Sequence, residues 1–202
     1  MAIFRIMRPN PGIPVRLPFC LEDIQRLSVG DSLLLSGTVF TARDAVHQFL
    51  AAGNEPPCDL RGAVLYHCGP VMVRDGKSWR VIAAGPTTSI REEHYMAAII
   101  ARFGIRGIIG KGGMGTRTLE ACREGGCLYL HAVGGAAQLL AARIRAVKGV
   151  YLLEKFGAPE AIWQLEVSDF PVVVTMDAHG NNLHASVFRD SESRLKKLLA
   201  AS

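Results

Sequence analysis

Several features that mark common protein classes are missing from this 202-residue chain. It has no stretch of about 18 apolar residues free of charges, Gly and Pro, so no membrane span is predicted. The first residues lack the apolar centre of a signal peptide, so none is expected. Charged residues make up only 20% of the chain and apolar residues 49%. That balance excludes bulk disorder and predicts a substantial core.

Cysteine is scarce and scattered. There are 5 cysteines, an odd number, and no two form a CxxC pair. Zinc and iron–sulfur sites usually show closely paired ligands, so we expect no metal site within this chain. Unpaired thiols are typical of the reducing cytoplasm, where we place the protein. The residues are Cys20, Cys58, Cys68, Cys122 and Cys127.

Positive charge is in mild excess and is not concentrated. Lys plus Arg is 23 and Asp plus Glu is 18, which gives a net charge of +5. No run of five basic residues and no aromatic platform occurs, so a nucleic-acid partner is not expected. A diffuse basic balance suits small acidic ligands equally well.

The order of apolar runs and turn signals predicts an α/β fold. The proline-rich residues 1–30 are predicted to form an N-terminal arm with a short helix near 21–27, and residues 31–202 a single domain. Alternating strands and helices in the middle of the chain indicate parallel β-α-β units, and Asp75-Gly76 indicates a hairpin. We therefore expect a mixed sheet with packed helices. The predicted strands are 32–36, 63–73, 79–84, 105–109, 127–133, 150–153, 163–167 and 172–176.

Capping signals locate the helices. Thr41 with Asp44, and Ser89 with Glu92, are spaced as capping boxes. They predict one helix over 41–52 and a second from Ser89 to Gly104, whose apolar stripe is Tyr95, Met96, Ile99, Ile100 and Phe103. Further helices are predicted from about 116, over 136–147 and over 191–200.

Two arginines lie where a helix normally carries acids. Arg43 and Arg91 fall in predicted first turns, where a cation costs about 0.3–1 kcal/mol against the helix dipole. Each could simply pair with a nearby acid (Asp44, Glu92 or Glu93) on a solvated surface. Because both follow short hydroxyl-bearing turns, they favour an anion site. His47 lies one helical turn beyond Arg43 and can face the same site.

A glycine-rich turn adds a third cation. In 110–115, Gly112 and Gly113 let backbone N–H groups approach a ligand, and Lys111 contributes a charge. The turn lacks the spacing of a Walker loop. It matches GxGxxG by letter, but no acid follows about 20 residues later, as a dinucleotide site would require. Two Arg and one Lys suit a dicarboxylate.

Hydroxyls and a polar turn complete the candidates. Thr87, Thr88 and Ser89 stand beside Arg91, and capping explains only one of them. A hydroxyl near cations can carry a proton. The stretch 177–182 could bind a ligand, but it reads first as a turn.

Four motifs occur in order and resemble one family. They are Ser36-Gly-Thr-Val-Phe-Thr-Ala-Arg-Asp-Ala-Val-His47, Gly85-Pro-Thr-Thr-Ser-Ile-Arg91, Gly110-Lys-Gly-Gly-Met-Gly115 and Asp177-Ala-His-Gly-Asn-Asn182. From about Pro14 to His184 the chain is similar to the β subunit of class I iron–sulfur hydro-lyases, the fumarate hydratase and L-tartrate dehydratase family. Members commonly carry Met-Asp after the arginine of the second motif, whereas Glu92-Glu93 stand here.

The resemblance implies a swivelling β/β/α domain and a hydro-lyase acting on a four-carbon dicarboxylate, either fumarate/malate or L-tartrate/oxaloacetate. It implies that a partner α subunit carries the [4Fe–4S] cluster and that this chain binds no metal. Thr87 would be the base, Arg43, Arg91 and Lys111 would bind the substrate, and Ser89 would assist. His47, Thr88, Gly112 and Gly113 are possible supporting residues. A homodimer of this chain alone or an α2β2 assembly is expected. A non-catalytic dicarboxylate-binding regulatory module is the alternative.

Overall fold

The computed structural model describes residues 12–76 and 78–200. Strands and helices alternate through most of this length. The strands are β1 Ile13–Arg16, β2 Ser32–Thr41, β3 Val64–Tyr66, β4 Val71–Asp75, β5 Ser78–Ala83, β6 Gly107–Gly110, β7 Leu128–His131, β8 Ile144–Tyr151 and β9 Ile162–Met176. The helices are α1 Leu21–Arg26, α2 Asp44–Ala51, α3 Glu93–Phe103, α4 Thr116–Gly125, α5 Ala137–Ala141, α6 Leu153–Phe156 and α7 Leu183–Ala200, with a 3-10 helix at Ser89–Glu92 before α3.

Seven strands form the main sheet in the order β1-β2-β3-β6-β7-β9-β8. The five strands β1, β2, β3, β6 and β7 run parallel to one another. Strand β9 runs antiparallel to β2, β7 and β8. Because β9 pairs with both β2 and β7, the circuit β2-β3-β6-β7-β9 closes on itself. The predicted α/β class, with a mixed sheet and packed helices, is confirmed.

Alternate residues of each central strand enter different cores. One set of alternating side chains in β3 and β7 belongs to one buried cluster: Val64, Tyr66, Leu128 and Leu130. The residues between them, Leu65 and Tyr129, join a second cluster together with the apolar residues of α2 and α3. This follows from the two-residue period of a strand, which sends neighbouring side chains to opposite faces. The helix stripe predicted from the sequence is confirmed at Met96, Ile99, Ile100 and Phe103, all buried.

The predicted hairpin at Asp75-Gly76 is confirmed. Strands β4 and β5 pair antiparallel as a separate two-stranded sheet, while Lys77 at the tip lies outside the described residues. Trp79 of β5 packs edge-on against Trp163 of β9, with ring centroids 5.1 Å apart. The hairpin therefore lies against the main sheet, although it does not extend it.

Within the N-terminal arm predicted over 1–30, the short helix expected near 21–27 is confirmed as α1, whereas residues 13–16 form a strand of the main sheet. Strand β1 pairs with β2 in the main sheet, and Val15, Phe19, Ile24 and Leu27 are buried in its core. Pro14 is accommodated in β1 because an edge strand tolerates a missing N–H donor. Residues 1–11 of the predicted arm lie outside the described residues.

Both predicted capping boxes are wrong. Thr41 is the last residue of β2, and its hydroxyl donates to the Ala161 carbonyl and accepts from the Trp163 N–H. Helix α2 therefore begins at Asp44, with Arg43 as its N-cap. Ser89 lies inside the 3-10 helix, whose N-cap Thr88 makes no side-chain capping bond.

After residue 141 the chain pairs in the sheet as a strand, although its local sequence favours a helix. The helix predicted over 136–147 ends at Ala141, and β8 begins at Ile144 because its edge pairs with β9. Two predicted strands, 163–167 and 172–176, are one strand, β9. Pro171 lies between residues 162–167 of β9, which pair with β8, and residues 173–176, which pair with β7. Neither strand pairs with position 171, so a proline there costs no hydrogen bond to β7 or β8.

The last helix is longer than predicted and is poorly covered. It begins at Leu183 rather than 191, and none of its residues is buried. Val187 and Phe188 are 56% and 70% exposed. Within the described ranges, no helix is both long and apolar enough to cross a membrane.

Candidate functional site

The site residues follow the carboxyl ends of parallel strands. Arg43 comes after β2, His67 after β3 and Lys111 after β6. The segment that carries Thr87 runs along this edge: its N–H donates to the His67 carbonyl at 2.7 Å, and Thr88 forms a parallel bridge with Lys111. Although this sheet closes through β9, the residues at these strand ends lie along one edge, called the crevice below.

Arg43 and Arg91 share one carboxylate. Nη2 of Arg91 lies 3.2 Å from Oδ2 of Asp44, and Nη2 of Arg43 lies 3.9 Å from the same oxygen. Nη1 of Arg43 also pairs with Glu160 at 3.3 Å. Without a ligand, both arginines therefore pair with acids, which was the alternative open from the sequence. The Asp44 carboxylate therefore lies within 4 Å of both guanidinium groups.

The backbone at Gly69 lies close to the side chain of Arg43 and restricts its position. A Cβ atom built on Gly69 would lie 2.6 Å from Arg43 Nη1 and 2.7 Å from the Pro159 carbonyl oxygen. Any larger side chain at 69 would displace the arginine. The side chain of Arg43 is 23% exposed, so its charged end still reaches solvent.

The three neighbouring hydroxyls have three different environments. Thr87 is half-buried and donates from Oγ1 to the His67 carbonyl at 3.0 Å. Thr88 is exposed. Ser89 is fully buried, and its Oγ lies 2.9 Å from Nδ1 of His67. In this conformation the Ser89 hydroxyl therefore bonds the His67 ring and does not reach solvent.

The glycine-rich turn is tied to the same segment. Lys111 N–H donates to the Thr87 carbonyl at 3.3 Å, and Ser89 N–H donates to the Lys111 carbonyl at 3.1 Å. Gly112 and Gly113 have φ of +80° and +75°, values that favour glycine. These bonds place Lys111 directly beside Thr87 along the backbone.

Gly110 makes room for Ser89 under this turn. A Cβ on Gly110 would lie 1.8 Å from Ser89 Oγ and 3.0 Å from the Tyr129 hydroxyl. Burial raises the pKa of Tyr129 to about 12. The floor of the crevice is thus closely packed and polar.

A buried layer of His47, His67 and Glu92 lies beneath the arginines. The two imidazoles meet edge-on, with centroids 4.9 Å apart. Nδ1 of His47 lies 2.8 Å from the Arg43 carbonyl oxygen, and so carries the proton it donates there. His47 and Glu92 are 0% and 1% exposed, with 3.6 Å between Nδ1 and Oε2.

Burial shifts the protonation of this layer toward neutral forms. Desolvation lowers the pKa of His47 to about 4 and holds the pKa of His67 well below its usual value. Desolvation, followed by the neighbouring Asp44 carboxyl, raises the pKa of Glu92 to about 8. The neighbouring Glu92 side chain, followed by the two arginines, holds the pKa of Asp44 below its usual value. Burial thus disfavours the charged form of all three groups.

The Glu93 carboxylate bonds the end of the glycine-rich turn and the start of α4, not the residues of the crevice. Its carboxylate accepts from Gly115 N–H at 2.7 Å, from Thr118 N–H at 3.2 Å and from Thr118 Oγ1 at 2.7 Å. An acid from α3 thus caps the N-terminus of α4 and ties it to the glycine-rich turn.

The stretch 177–182 is a structural turn. Asp177 is buried and accepts hydrogen bonds from the backbone N–H groups of Val29, His179 and Asn181. The prediction of a turn is confirmed, and the Asp177 carboxylate is occupied by its own loop and by Val29 from a distant segment.

Contacts link the predicted site residues into one network. Arg43 and Arg91 meet at Asp44, Arg43 bonds His47, His47 packs on His67, and His67 bonds Thr87, which bonds Lys111. Sequence reasoning missed Asp44 as the shared partner and the buried roles of His67 and Glu92. The two consecutive acids Glu92-Glu93 directly after Arg91 were the available signal.

The described residues do not provide a metal site. In 12–76 and 78–200, no group of three or more His, Cys, Asp or Glu residues could hold a metal ion. All five cysteines are free, and Cys68, Cys122 and Cys127 are buried. The chain therefore offers no three-thiolate set to an iron–sulfur cluster.

Comparison with known proteins agrees with the motifs. The fumarase C-terminus family model matches residues 11–187. A putative fumarate hydratase class I from Geobacillus stearothermophilus is 52% identical over 92% of this chain, and the chain spans 36% of that protein. A putative L(+)-tartrate dehydratase subunit beta from Methanocaldococcus jannaschii is 39% identical over 88% of this chain and 94% of its own length. The Escherichia coli K12 L(+)-tartrate dehydratase subunit beta is 38% identical over 83% of this chain and 84% of its own.

The fold is a mixed α/β sheet with packed helices, and the proteins it matches are named as hydratases and dehydratases. The chain belongs to the fumarase C-terminus family, in which it resembles the β subunits. It spans about a third of the fumarate hydratase relative and most of each β subunit.

Proposed function

We propose that this chain is the substrate-binding and proton-transferring part of a hydro-lyase that adds water to, or removes it from, a four-carbon dicarboxylate. The substrate pair is fumarate/malate or L-tartrate/oxaloacetate. The relatives named as a fumarate hydratase and as L(+)-tartrate dehydratase β subunits support the reaction class.

The meeting of Arg43 and Arg91 on one carboxylate is the observation that carries the proposal. Asp44 shows that both guanidinium groups can address a single carboxylate at this point. A substrate carboxylate would exchange with Asp44, since Arg binds such a group through two N–H donors. Lys111 would bind the second carboxylate, with open space at Gly112, whereas a Cβ atom on Gly113 would meet the His184 ring at 2.7 Å.

Thr87 is proposed as the proton-transfer group. After releasing its hydroxyl proton to solvent, the Thr87 alkoxide would take a proton from the carbon beside one carboxylate, while hydroxide leaves the neighbouring carbon with the C–O electron pair and the C–H pair forms the double bond. Its Oγ1 is half-buried and keeps its lone pairs, because it donates its own proton to the His67 carbonyl. Ser89 would assist by holding His67, and His47 would support Arg43.

The cluster is proposed to lie on a partner. A [4Fe–4S] cluster carried by an α subunit would supply Lewis-acid activation of the leaving hydroxyl. We expect the purified single chain to be colourless and inactive. Exposed apolar residues of α7, such as Val187 and Phe188, support an assembly, either a homodimer or α2β2. The five free cysteines support a cytoplasmic location.

Replacement of Thr87 by Val tests the proposal. The variant keeps the shape and removes the oxygen, so turnover of the complex reconstituted with its α partner should fall by about 10²–10⁴. Stability should change by only about 0.5–1.5 kcal/mol. Steady-state kinetics on fumarate, malate and tartrate under anaerobic conditions measure the effect.

Thr88→Val is the matched control, because its side chain is exposed and adjacent. It should keep normal turnover. If Thr88→Val or Ser89→Ala abolishes activity while Thr87→Val does not, the wrong hydroxyl has been assigned. If none of the three matters, the base lies on the partner. Dicarboxylate binding with no turnover in any complex would favour the regulatory module.

A further inference from the structure

Glu160 bonds two partners at once, the start of α2 and the guanidinium of Arg43. It lies in the loop between α6 and β9. Its Oε2 accepts a hydrogen bond from the Ala45 N–H at 3.0 Å, and its Oε1 lies 3.3 Å from Nη1 of Arg43. The first of these contacts satisfies one of the free N–H groups at the N-terminus of α2. The acid that pairs with Arg43 is therefore also held by the helix that Arg43 begins.

The loop that carries Glu160 is anchored to the sheet on both sides of this residue. The indole N–H of Trp163, a buried residue of β9, donates to the Ala158 carbonyl at 2.8 Å. The Ala161 carbonyl accepts a hydrogen bond from the Thr41 hydroxyl at 3.0 Å. Since Thr41 ends β2, these bonds fix the loop to the strand that leads into Arg43. The position of Glu160 relative to Arg43 is thus set by the sheet.

Asp44, the other acid on Arg43, is held less firmly. Its Oδ2 lies 3.9 Å from Nη2 of Arg43 and 3.2 Å from Nη2 of Arg91. The Asp44 side chain is 49% exposed, whereas that of Glu160 is 22% exposed. Exposed ion pairs contribute little free energy, so they exchange readily with another anion. An arriving carboxylate would therefore displace Asp44 and leave Glu160 in place.

The surroundings of the Arg43 guanidinium differ from one nitrogen to the next. Nε is buried and has no hydrogen-bond partner among the residues that the structure describes. Nη1 lies against Glu160 and the narrow space at Gly69, where a Cβ atom would be 2.6 Å from Nη1 and 2.7 Å from the Pro159 carbonyl oxygen. Nη2 is the nitrogen that lies near Asp44. The guanidinium is thus held at Nη1, and Nη2 is the nitrogen on the side of Arg91.

We propose that Glu160 is a positioning residue: by bonding both the first turn of α2 and Nη1 of Arg43, it holds Nη2 at the point where Arg43 and Arg91 together bind a substrate carboxylate. This inference rests on the proposed role of the two arginines in binding the substrate. It assigns no contact between Glu160 and substrate. The opposite role is that of a competitor, an acid that occupies Arg43 until a ligand displaces it. The two roles predict changes in affinity of opposite sign.

Succinate binding by the full wild-type chain and by Glu160→Asp tests the inference. Asp keeps the negative charge but is one methylene shorter, so its carboxylate cannot reach both Arg43 and the Ala45 N–H at their present distances. We expect succinate affinity to fall about tenfold, because Arg43 loses its fixed partner while the charge beside it is unchanged. Calorimetry at neutral pH measures the two affinities. Unchanged affinity overturns the inference, and tighter binding overturns it in favour of a competitor.

The effect should pass through Arg43. In an Arg43→Lys background, Glu160→Asp should change succinate affinity by less than about twofold, since the fork that Glu160 positions is already lost. An equal loss of affinity in both backgrounds would show a general structural effect and would overturn the inference. Glu154→Asp is the matched control, because it makes the same chemical change on the exposed surface of α6. It should alter affinity by less than about twofold.

Failure of this inference is distinguishable from failure of the proposed function. If the wild-type chain binds succinate and Glu160→Asp binds it equally well, the arginine site stands and only the role of Glu160 is wrong. If the wild-type chain does not bind succinate at all, the arginine site itself is contradicted, and both proposals fail.

A direct measurement on the wild-type protein covers the case in which Glu160→Asp does not fold. In 15N-labelled protein, the guanidinium signals of Arg43 are assigned by their loss in Arg43→Lys. A guanidinium held at Nη1 should give separate Nη1 and Nη2 signals, and added succinate should shift the Nη2 signal more than the Nη1 signal. A single averaged signal, or equal shifts of both nitrogens, would show that Glu160 does not hold Arg43.

Discussion

Loss of the Glu93 carboxylate should destabilise the protein without touching the crevice. This group from α3 accepts three hydrogen bonds, from Gly115 N–H and from the N–H and hydroxyl of Thr118. Thr118 is fully buried, so Glu93→Ala leaves its donors without a partner. Two of the three bonds are 2.7 Å long, which is typical of charge-assisted bonds.

The magnitude follows from these contacts. Bonds to a charged group contribute about 1.5–3 kcal/mol each, but the three share one carboxylate and are not additive. We expect Glu93→Ala to lower the free energy of unfolding by about 2–4 kcal/mol. With a urea m-value of about 2 kcal/mol/M, the midpoint should fall by about 1–2 M.

Urea unfolding followed by circular dichroism measures the shift, with two comparison variants. Glu93→Gln keeps an acceptor oxygen and should lose about half as much stability as the alanine variant. Glu124→Ala, an exposed acid on α4, should change stability by less than about 0.5 kcal/mol. A loss of less than about 0.5 kcal/mol in Glu93→Ala would refute the capping role.

The remaining predictions concern packing, pH and binding. Gly110→Ala should cost about 1–3 kcal/mol by urea unfolding, because the new Cβ meets Ser89 Oγ; an unchanged midpoint would contradict this close approach. Because folding raises the pKa of Glu92, the folded state binds more protons than the unfolded state. Stability should therefore fall as the pH rises from about 4.5 to about 8 in wild type but not in Glu92→Gln, by up to about 1.4 kcal/mol per pH unit. Folding lowers the pKa of His47 to about 4, so stability should also fall as the pH drops from about 6.5 toward 4, and His47→Gln should remove part of that loss. Arg91→Lys should raise the KM of the reconstituted complex about tenfold through loss of the two-pronged carboxylate grip; a fall in kcat alone would contradict a binding role.

Local patterns in the sequence predicted features that depend on few neighbours. The stripe of α3 followed from a 3.6-residue period and ended at Gly104 as expected. The hairpin followed from Asp75-Gly76, since that turn needs little beyond its own backbone. The cations were predicted from their unfavourable place near helix starts, which local stability does not explain.

Elements that depend on distant partners were predicted poorly. Residues 13–16 and 144–151 form strands because β2 and β9 offer edges to them. Thr41 had the chemistry of a helix cap, but bonds to Ala161 and Trp163 hold it in β2. No pattern within a short window contains these partners.

The sequence by itself determined the class of fold, the family and the cations of the candidate site, because periodicity, turn chemistry and motifs are properties of short segments. Only the tertiary structure decided what surrounds those cations. Asp44 lies between Arg43 and Arg91, and Glu92 is buried against His47 with no donor to its carboxyl in the described chain. Charge states depend on burial and on neighbours brought from separate strands, and those are set only when the sheet closes.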